Sequence, residues 1–190
     1  MEYRFKIQLK GISRPGVWRR VVVPGDFTFL RFHRVIQTLF GWEDYHLFEF
    51  KDRECQGHLR ITEPRDDDFR SGIETLDASK TRLPFIFADG VRHFLYVYDF
   101  GDHWVHDITL EAVCDGDSRN RALCLSGNGS CPPEDCGGPR GYGSMKDIFR
   151  TMPESKEADE YRNWLGLSGS ESWDADAFDI DGVNAGLKRV

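Results

Sequence analysis

The chain opens on a strict alternation. Tyr3, Phe5, Ile7 and Leu9 are apolar, while Glu2, Arg4, Lys6, Gln8 and Lys10 are charged or polar. A period of two puts these sets on opposite faces, so residues 2–10 predict a strand buried on one side. Pro15-Gly16 signals a turn, and Val17 to Val23 predicts the second strand of a hairpin, ended by Pro24-Gly25-Asp26. From Thr28 the period becomes helical. Phe29, Phe32, Ile36, Leu39 and Phe40 share one face; Arg31, Arg34 and Gln37 take the other. Asp26 or Thr28 can cap a helix over 28–40, and Gly41 stands where it should stop.

Short strands are expected at Leu47 to Lys51 and His58 to Ile61, then an acidic, polar loop from Pro64 to Gly72. Leu76 to Asp89 is ambiguous between periods, with a short helix begun by Pro84 the reading adopted. Phe94 to Asp99 and Trp104 to Val113 give the clearest hairpin, turning at 100–103. Its second strand sends Trp104, His106, Ile108 and Leu110 to one face and Val105, Asp107, Thr109 and Glu111 to the other. Residues 115–144 read as a long loop rich in Gly, Pro and Cys. Helices follow over 145–152 and 155–165, then a linker at 168–173 and a last helix to Leu187, capped by Asp176 or Asp179. The elements sum to one α+β domain over 1–190, a mixed and largely antiparallel sheet with helices packed on one side. Residues 168–190 form its C-terminal linker and helix, and no internal repeat is present.

Composition sharpens this. A chain of 190 residues with 14 Phe and 39% hydrophobic residues can bury a core without disulfides. The net charge of −7 is uneven: residues 1–60 hold 11 Lys and Arg against 7 Asp and Glu, and the remainder 14 against 25. The acidic majority argues against undirected nucleic-acid binding, while the basic first hairpin leaves a local surface open. MEYRFKIQLK has no apolar run of signal-peptide length, and no segment is long and apolar enough to span a bilayer. With five cysteines and no export signal, the expectation is a cytoplasmic protein with reduced or metal-bound thiols and no membrane contact.

Five blocks carry a family resemblance. In order, YRFKIQLKGISRPGVWRRVVVP, FHRVIQTLFGW, YDFGDHWVHDITLE, CPPEDCGGPRGY and FDIDGVNAGLKR resemble the plasmid pRi ORF-three-like proteins, also described as insertion-element passenger proteins. The resemblance spans nearly the whole chain and departs mostly within 52–92. It implies a single α+β domain of bacteria and archaea, often encoded near mobile elements, and it implies no reaction. Resolvase-like names given to some members do not fit, because no nucleophilic serine sits among clustered arginines here.

Tyr98 to Tyr142 is the densest chemistry. Cys124, Cys131 and Cys136, spaced C-x6-C-x4-C, suit zinc if His106, Cys114, Asp135 or His103 supplies a fourth ligand; otherwise they are small, partly buried side chains. Asp99, Asp102, His103, His106 and Asp107 can bind a divalent cation or relay protons, or simply pin the hairpin turn. Glu134 and Asp135, in a Pro- and Gly-rich stretch, either face a ligand or cap the next helix, and a structural turn is the better reading. The Gly-x-Ser-x-Gly, His-Glu-x-x-His, P-loop and EF-hand patterns are all absent. Arg19, Arg20, Arg31 and Arg34, near Trp18 and Trp42, are the candidate nucleic-acid contacts.

The leading expectation is a non-enzymatic binding or adaptor module for an unidentified protein or nucleic-acid partner. Its surface combines loop 124–143 with hairpin end 99–106, through Asp99, Asp102, Trp104, His106, Glu134, Asp135 and Tyr142. The alternatives are a metal-dependent, hydrolase-like enzyme with a Cys/His site, in which the cysteines hold the ion beside His106, Asp99 or Asp102, and a nucleic-acid binder using the basic hairpin.

Overall fold

The computed structural model describes the chain apart from residues 53–57, 65–72, 89, 117–119, 169–170 and 172. Most of the expected acidic loop 64–72, parts of the linker 168–173 and Cys55 lie outside the described residues. Eight strands form one sheet in the order β5-β4-β3-β6-β7-β1-β2-β8. They are β1 (Glu2–Leu9), β2 (Trp18–Pro24), β3 (Phe48–Lys51), β4 (Leu59–Thr62), β5 (Glu74–Asp77), β6 (His93–Tyr98), β7 (Trp104–Cys114) and β8 (Leu123–Asn128). Only the β4–β5 pair is parallel. The helices are α1 (Phe29–Phe40), α2 (Pro84–Phe87), α3 (Gly138–Thr151), α4 (Lys156–Trp164) and α5 (Ile180–Leu187).

The alternation in β1 does what its period requires: Tyr3, Phe5, Ile7 and Leu9 are buried and join residues of α1, α2, α3 and α5 in one core cluster. Ring contacts hold the layers together, with Phe5 centred 5.0 Å from Phe32 of α1 and 4.9 Å from Phe87 of α2. Thr28 caps α1, accepting from Arg31 N, and Gly41 ends it at φ 71°. Gln37, expected on the polar face of α1, is buried instead and donates to the Tyr96 hydroxyl. A polar side chain is tolerated there because a buried acceptor meets it.

The expected long loop 115–144 proves more ordered than its composition suggests. Leu123–Asn128 adds strand β8 to β2. The outer edge of β8 is closed by Asn184 of α5, whose amide accepts from Cys124 N and donates to Cys124 O. Such a cap removes the pairing template that an open edge strand presents. Helix α3 begins at Gly138, several residues before the expected 145–152. Pro139 suits a helix start, and the glycines that argued against helix permit close packing, since a side chain at Gly141 would strike the carbonyl of Cys136. Strand β5, Glu74–Asp77, was not expected and only its last two residues enter the ambiguous stretch, whereas α2 begins at Pro84 as expected.

Candidate functional site

Three segments converge at one end of the β3–β6–β7 part of the sheet. The first runs from the end of α1 into β3. Trp42 folds back onto the sheet, stacking on Tyr98 at 4.9 Å and donating its indole N–H to Pro132 O. Asp44, at φ 60°, accepts from or pairs with His33 Nε2 at 2.7 Å, and its own N–H donates to Gln37 Oε1. The N–H groups of Tyr45 and His46 both donate to the Tyr98 hydroxyl. His46 is thereby laid edge-on against the Tyr98 ring.

The second segment is the β6–β7 turn. Asp99 N donates to Leu47 O, tying the turn to the His46 segment, and His103 N closes it onto Asp99 O. Asp99 and His103 both take positive φ, 54° and 58°. Gly101 N donates to Asp99 Oδ1, which fixes the carboxylate and leaves Oδ2 without a hydrogen bond among the described residues. The third segment is the loop before α3. Its Glu134 Oε1 accepts from both the Tyr98 hydroxyl and Glu43 N, each at 3.0 Å. Asp102 Oδ2 clamps this loop by accepting from Gly137 N.

The three segments point their remaining atoms at one spot. Nε2 of His46 lies 3.3 Å from Asp135 Oδ1, 3.9 Å from Asp99 Oδ2 and 3.9 Å from Glu134 Oε2. None of these approaches makes a hydrogen bond, so the buried atoms His46 Nε2 and Glu134 Oε2 are both without a partner. Asp99 is only 6% exposed, while the Asp135 side chain is 73% exposed and marks the solvent side. Burial, reinforced by the Glu134 hydrogen bond, raises the Tyr98 pKa, so the hydroxyl remains a donor to that carboxylate.

Of the seven residues assigned from sequence to the binding surface, four fall here. Asp99, Glu134 and Asp135 supply the inward oxygens, and Asp102 positions the loop. Trp104 and His106 lie in the core beneath. His106 faces Phe40, Trp42 and Tyr96, bonds through Nδ1 to Trp104 O, and burial lowers its pKa to about 3, so it is a neutral core side chain. Tyr142 is buried and donates to Ser130 O at 2.6 Å.

The cysteine set needs correction. Among the described residues, the His, Cys, Asp and Glu ligand atoms that gather within 4.8 Å of one another are those of His46, Asp99 and Asp135. Cys124, Cys131, Cys136 and His106 are not so gathered. Cys124 Sγ donates to Ser126 O, and burial raises all three thiol pKa values, Cys136 to about 12.

The four arginines do not share a surface either. Arg19 is 3% exposed and donates to the carbonyls of Leu39, Trp18, Asn128 and Gly129, so it cannot reach a phosphate. Arg20 sits on the outer sheet face, held by both oxygens of Glu111. Arg31 is bound to Val190 O and Asn120, and Arg34 is exposed on the opposite layer.

The residues missed from sequence are His46 and Tyr98. A sign was available in GWEDYH, where polar and aromatic residues crowd the exit of a helix, but nothing in the spacing ties it to positions 99 or 134.

Fold and site define a single-domain α+β protein whose sheet ends in an acidic cluster bearing one imidazole. The chain belongs to the plasmid pRiA4b ORF-3-like protein family, whose model matches residues 1–182. It is 35% identical over 170 residues to the uncharacterized protein y4hQ of Sinorhizobium fredii (strain NBRC 101917 / NGR234), covering 89% of this chain and 83% of that one. The crystal structure of the protein of unknown function MM3350 from Methanosarcina mazei Go1 matches with a TM-score of 0.78 and 32% identity, covering 95% of this chain and 96% of that one. Neither relative's name carries an activity. Among the described residues, no helix is long and apolar enough to cross a membrane.

Proposed function

We propose that this protein is a binding module for a divalent cation, held by His46 Nε2, Asp99 Oδ2 and Asp135 Oδ1, with Glu134 Oε2 beside them at 3.9 Å from Nε2. The observation that carries the reading is the convergence of these atoms, with Nε2 and Oε2 buried and unpartnered. Leaving such atoms unsatisfied costs about 1–3 kcal/mol each, more when charged, and an ion removes that cost. The supporting hydrogen bonds resemble those that orient metal ligands elsewhere: one oxygen of Asp99 and one of Glu134 are tied down, and the other is left free. With metal–ligand bonds near 2.0–2.2 Å, neighbouring ligand atoms stand about 3–3.6 Å apart; the three ligand atoms lie within 4.8 Å of one another, so they must draw together around an ion.

One imidazole with carboxylates suits a first-row ion such as manganese or zinc, the oxygen donors favouring manganese where the sulfur set expected from sequence would favour zinc. Calorimetric titration of metal-free full-length protein with zinc or manganese should show one ion per chain. At about a thousand times Kd, binding adds about 4 kcal/mol of stability. For a chain of this size, that raises Tm by roughly 8–16 °C. His46→Ala should lose most of the affinity while keeping the fold. A wild-type protein that takes up neither ion at millimolar concentration would sink the reading.

A further inference from the structure

Resting on that cation reading, we infer that the ion is only partly enclosed. It carries exchangeable water on the Asp135 side, and that position accepts neutral oxygen donors rather than phosphate or carboxylate ligands. The first half follows from counting donor atoms. An ion of manganese type takes six ligands in octahedral geometry. Three side chains converge here, and Asp99 cannot become bidentate without giving up an existing bond. Asp99 Oδ1 is held by Gly101 N, and Glu134 Oε1 by Tyr98 and Glu43. Even with Asp135 bidentate, at least one position remains. It opens outward, because Asp99 is buried while Asp135 is largely exposed.

The second half follows from charge. Asp99, Asp135 and an imidazole bring a divalent ion to zero net charge, and Glu134, 3.9 Å from His46 Nε2, makes the site as a whole −1. Among the described residues, no Lys or Arg pairs with Asp99, Glu134 or Asp135 to offset it. Glu43, Asp44 and Asp102, in the same three segments, add further negative charge. In a partly buried site such charges act with reduced screening, so an incoming anion is opposed while water, hydroxyl, amide or carbonyl oxygen is not. A metal-bound water facing neutral carbonyl compounds is the arrangement from which metal-assisted hydrolysis starts.

The test uses manganese(II) and the intact chain. Electron paramagnetic resonance reports how much ion is bound, and water-proton relaxation reports whether the bound ion still exchanges water. The expected result is a several-fold relaxation enhancement per bound ion that millimolar inorganic phosphate leaves unchanged. Bound manganese without enhancement would show a closed site and overturn the inference. Phosphate that quenches the enhancement while the ion stays bound would overturn the ligand class. Failure to bind manganese or zinc at all would be the failure of the cation reading itself. Glu43→Gln lies on an exposed side chain that is not among the ligands and removes one charge; phosphate is then expected to reduce the enhancement. If it does not, charge is not what excludes the anion, and the ligand class assigned here is wrong.

Discussion

Two neighbouring arginines show how much a single position decides. Arg19 and Arg20 are adjacent in β2 and read alike in sequence, but the period of two sends them to opposite faces. Arg19 ends among four backbone carbonyls, with its guanidinium 4.0 Å from the Phe178 ring centre. Arg20 stays at the surface, paired with Glu111. Arg19→Met should therefore lose roughly 3 kcal/mol or more, because hydrogen bonds from a charged donor are each worth about 1.5–3 kcal/mol and their carbonyls would be left buried. Arg20→Met should cost at most about 1 kcal/mol, as for other exposed pairs. Urea denaturation of the two variants checks this, and equal losses would contradict the assignment. Charge reversal at both positions is thus a poor probe of nucleic-acid binding, since any loss would report unfolding. The same scale explains what was legible of the site. Asp99, Glu134 and Asp135 stood out because acids beside Gly and Pro are conspicuous. His46 did not, because its role depends on Tyr98 Oη gathering two N–H groups from one segment and a carboxylate from another, distant one.

At the level of elements, strands and helices with a single clear period were readable, and those shaped by tertiary packing were not. The two hairpins and α1 follow from alternation, turn residues and caps. Strand β8 was obscured because Gly127 and Asn128 lie within it and its edge is satisfied by a side chain of α5. The start of α3 was obscured because its glycines answer a packing demand. Gly138 is the sharpest instance. It sits at φ 67°, and a Cβ there would lie 2.7 Å from Asp102 O. Positive φ alone costs an L-residue about 1–2 kcal/mol. Gly138→Ala should exceed that in a thermal melt, since the turn and the loop would be pushed apart. Because those two elements carry Asp99 and the Glu134–Asp135 pair, the same substitution should weaken cation binding several-fold. Gly143→Ala meets open space in the same helix and should be neutral or slightly stabilising. A Gly138→Ala protein that is destabilised yet binds metal normally would separate the clamp from the site.

Across the whole molecule, the sheet buries one face so thoroughly that a histidine is trapped in it, and this gives stability a definite pH dependence. His106 is fully buried between Phe40, Trp42 and Tyr96, and desolvation of its charged form lowers its pKa to about 3. In the unfolded chain the same group titrates near 6.5. Below about pH 6.5 the unfolded state binds a proton that the native state refuses, so stability rises with pH through this window and falls on acidification. The loss continues until the folded pKa near 3 is reached. A shift of this size corresponds to an effect on the order of 5 kcal/mol. The carboxylates whose pKa values are lowered in the fold, Asp77 by Ser79 and Lys80 and Glu111 by Arg20, contribute stability that is lost only at more acid pH. Between about pH 6.5 and 5 their protonation is minor, which leaves a range in which the buried imidazole can be read apart from them. His106→Leu keeps an apolar side chain against the same rings and removes the titrating group. Denaturation midpoints for metal-free wild type and variant, measured in half-unit steps from pH 7.5 to 5, should diverge steadily, with the wild type losing about 1.4 kcal/mol relative to the variant for each unit below 6.5. Parallel curves would mean that His106 is protonated within the fold and that solvent reaches the centre of the sheet.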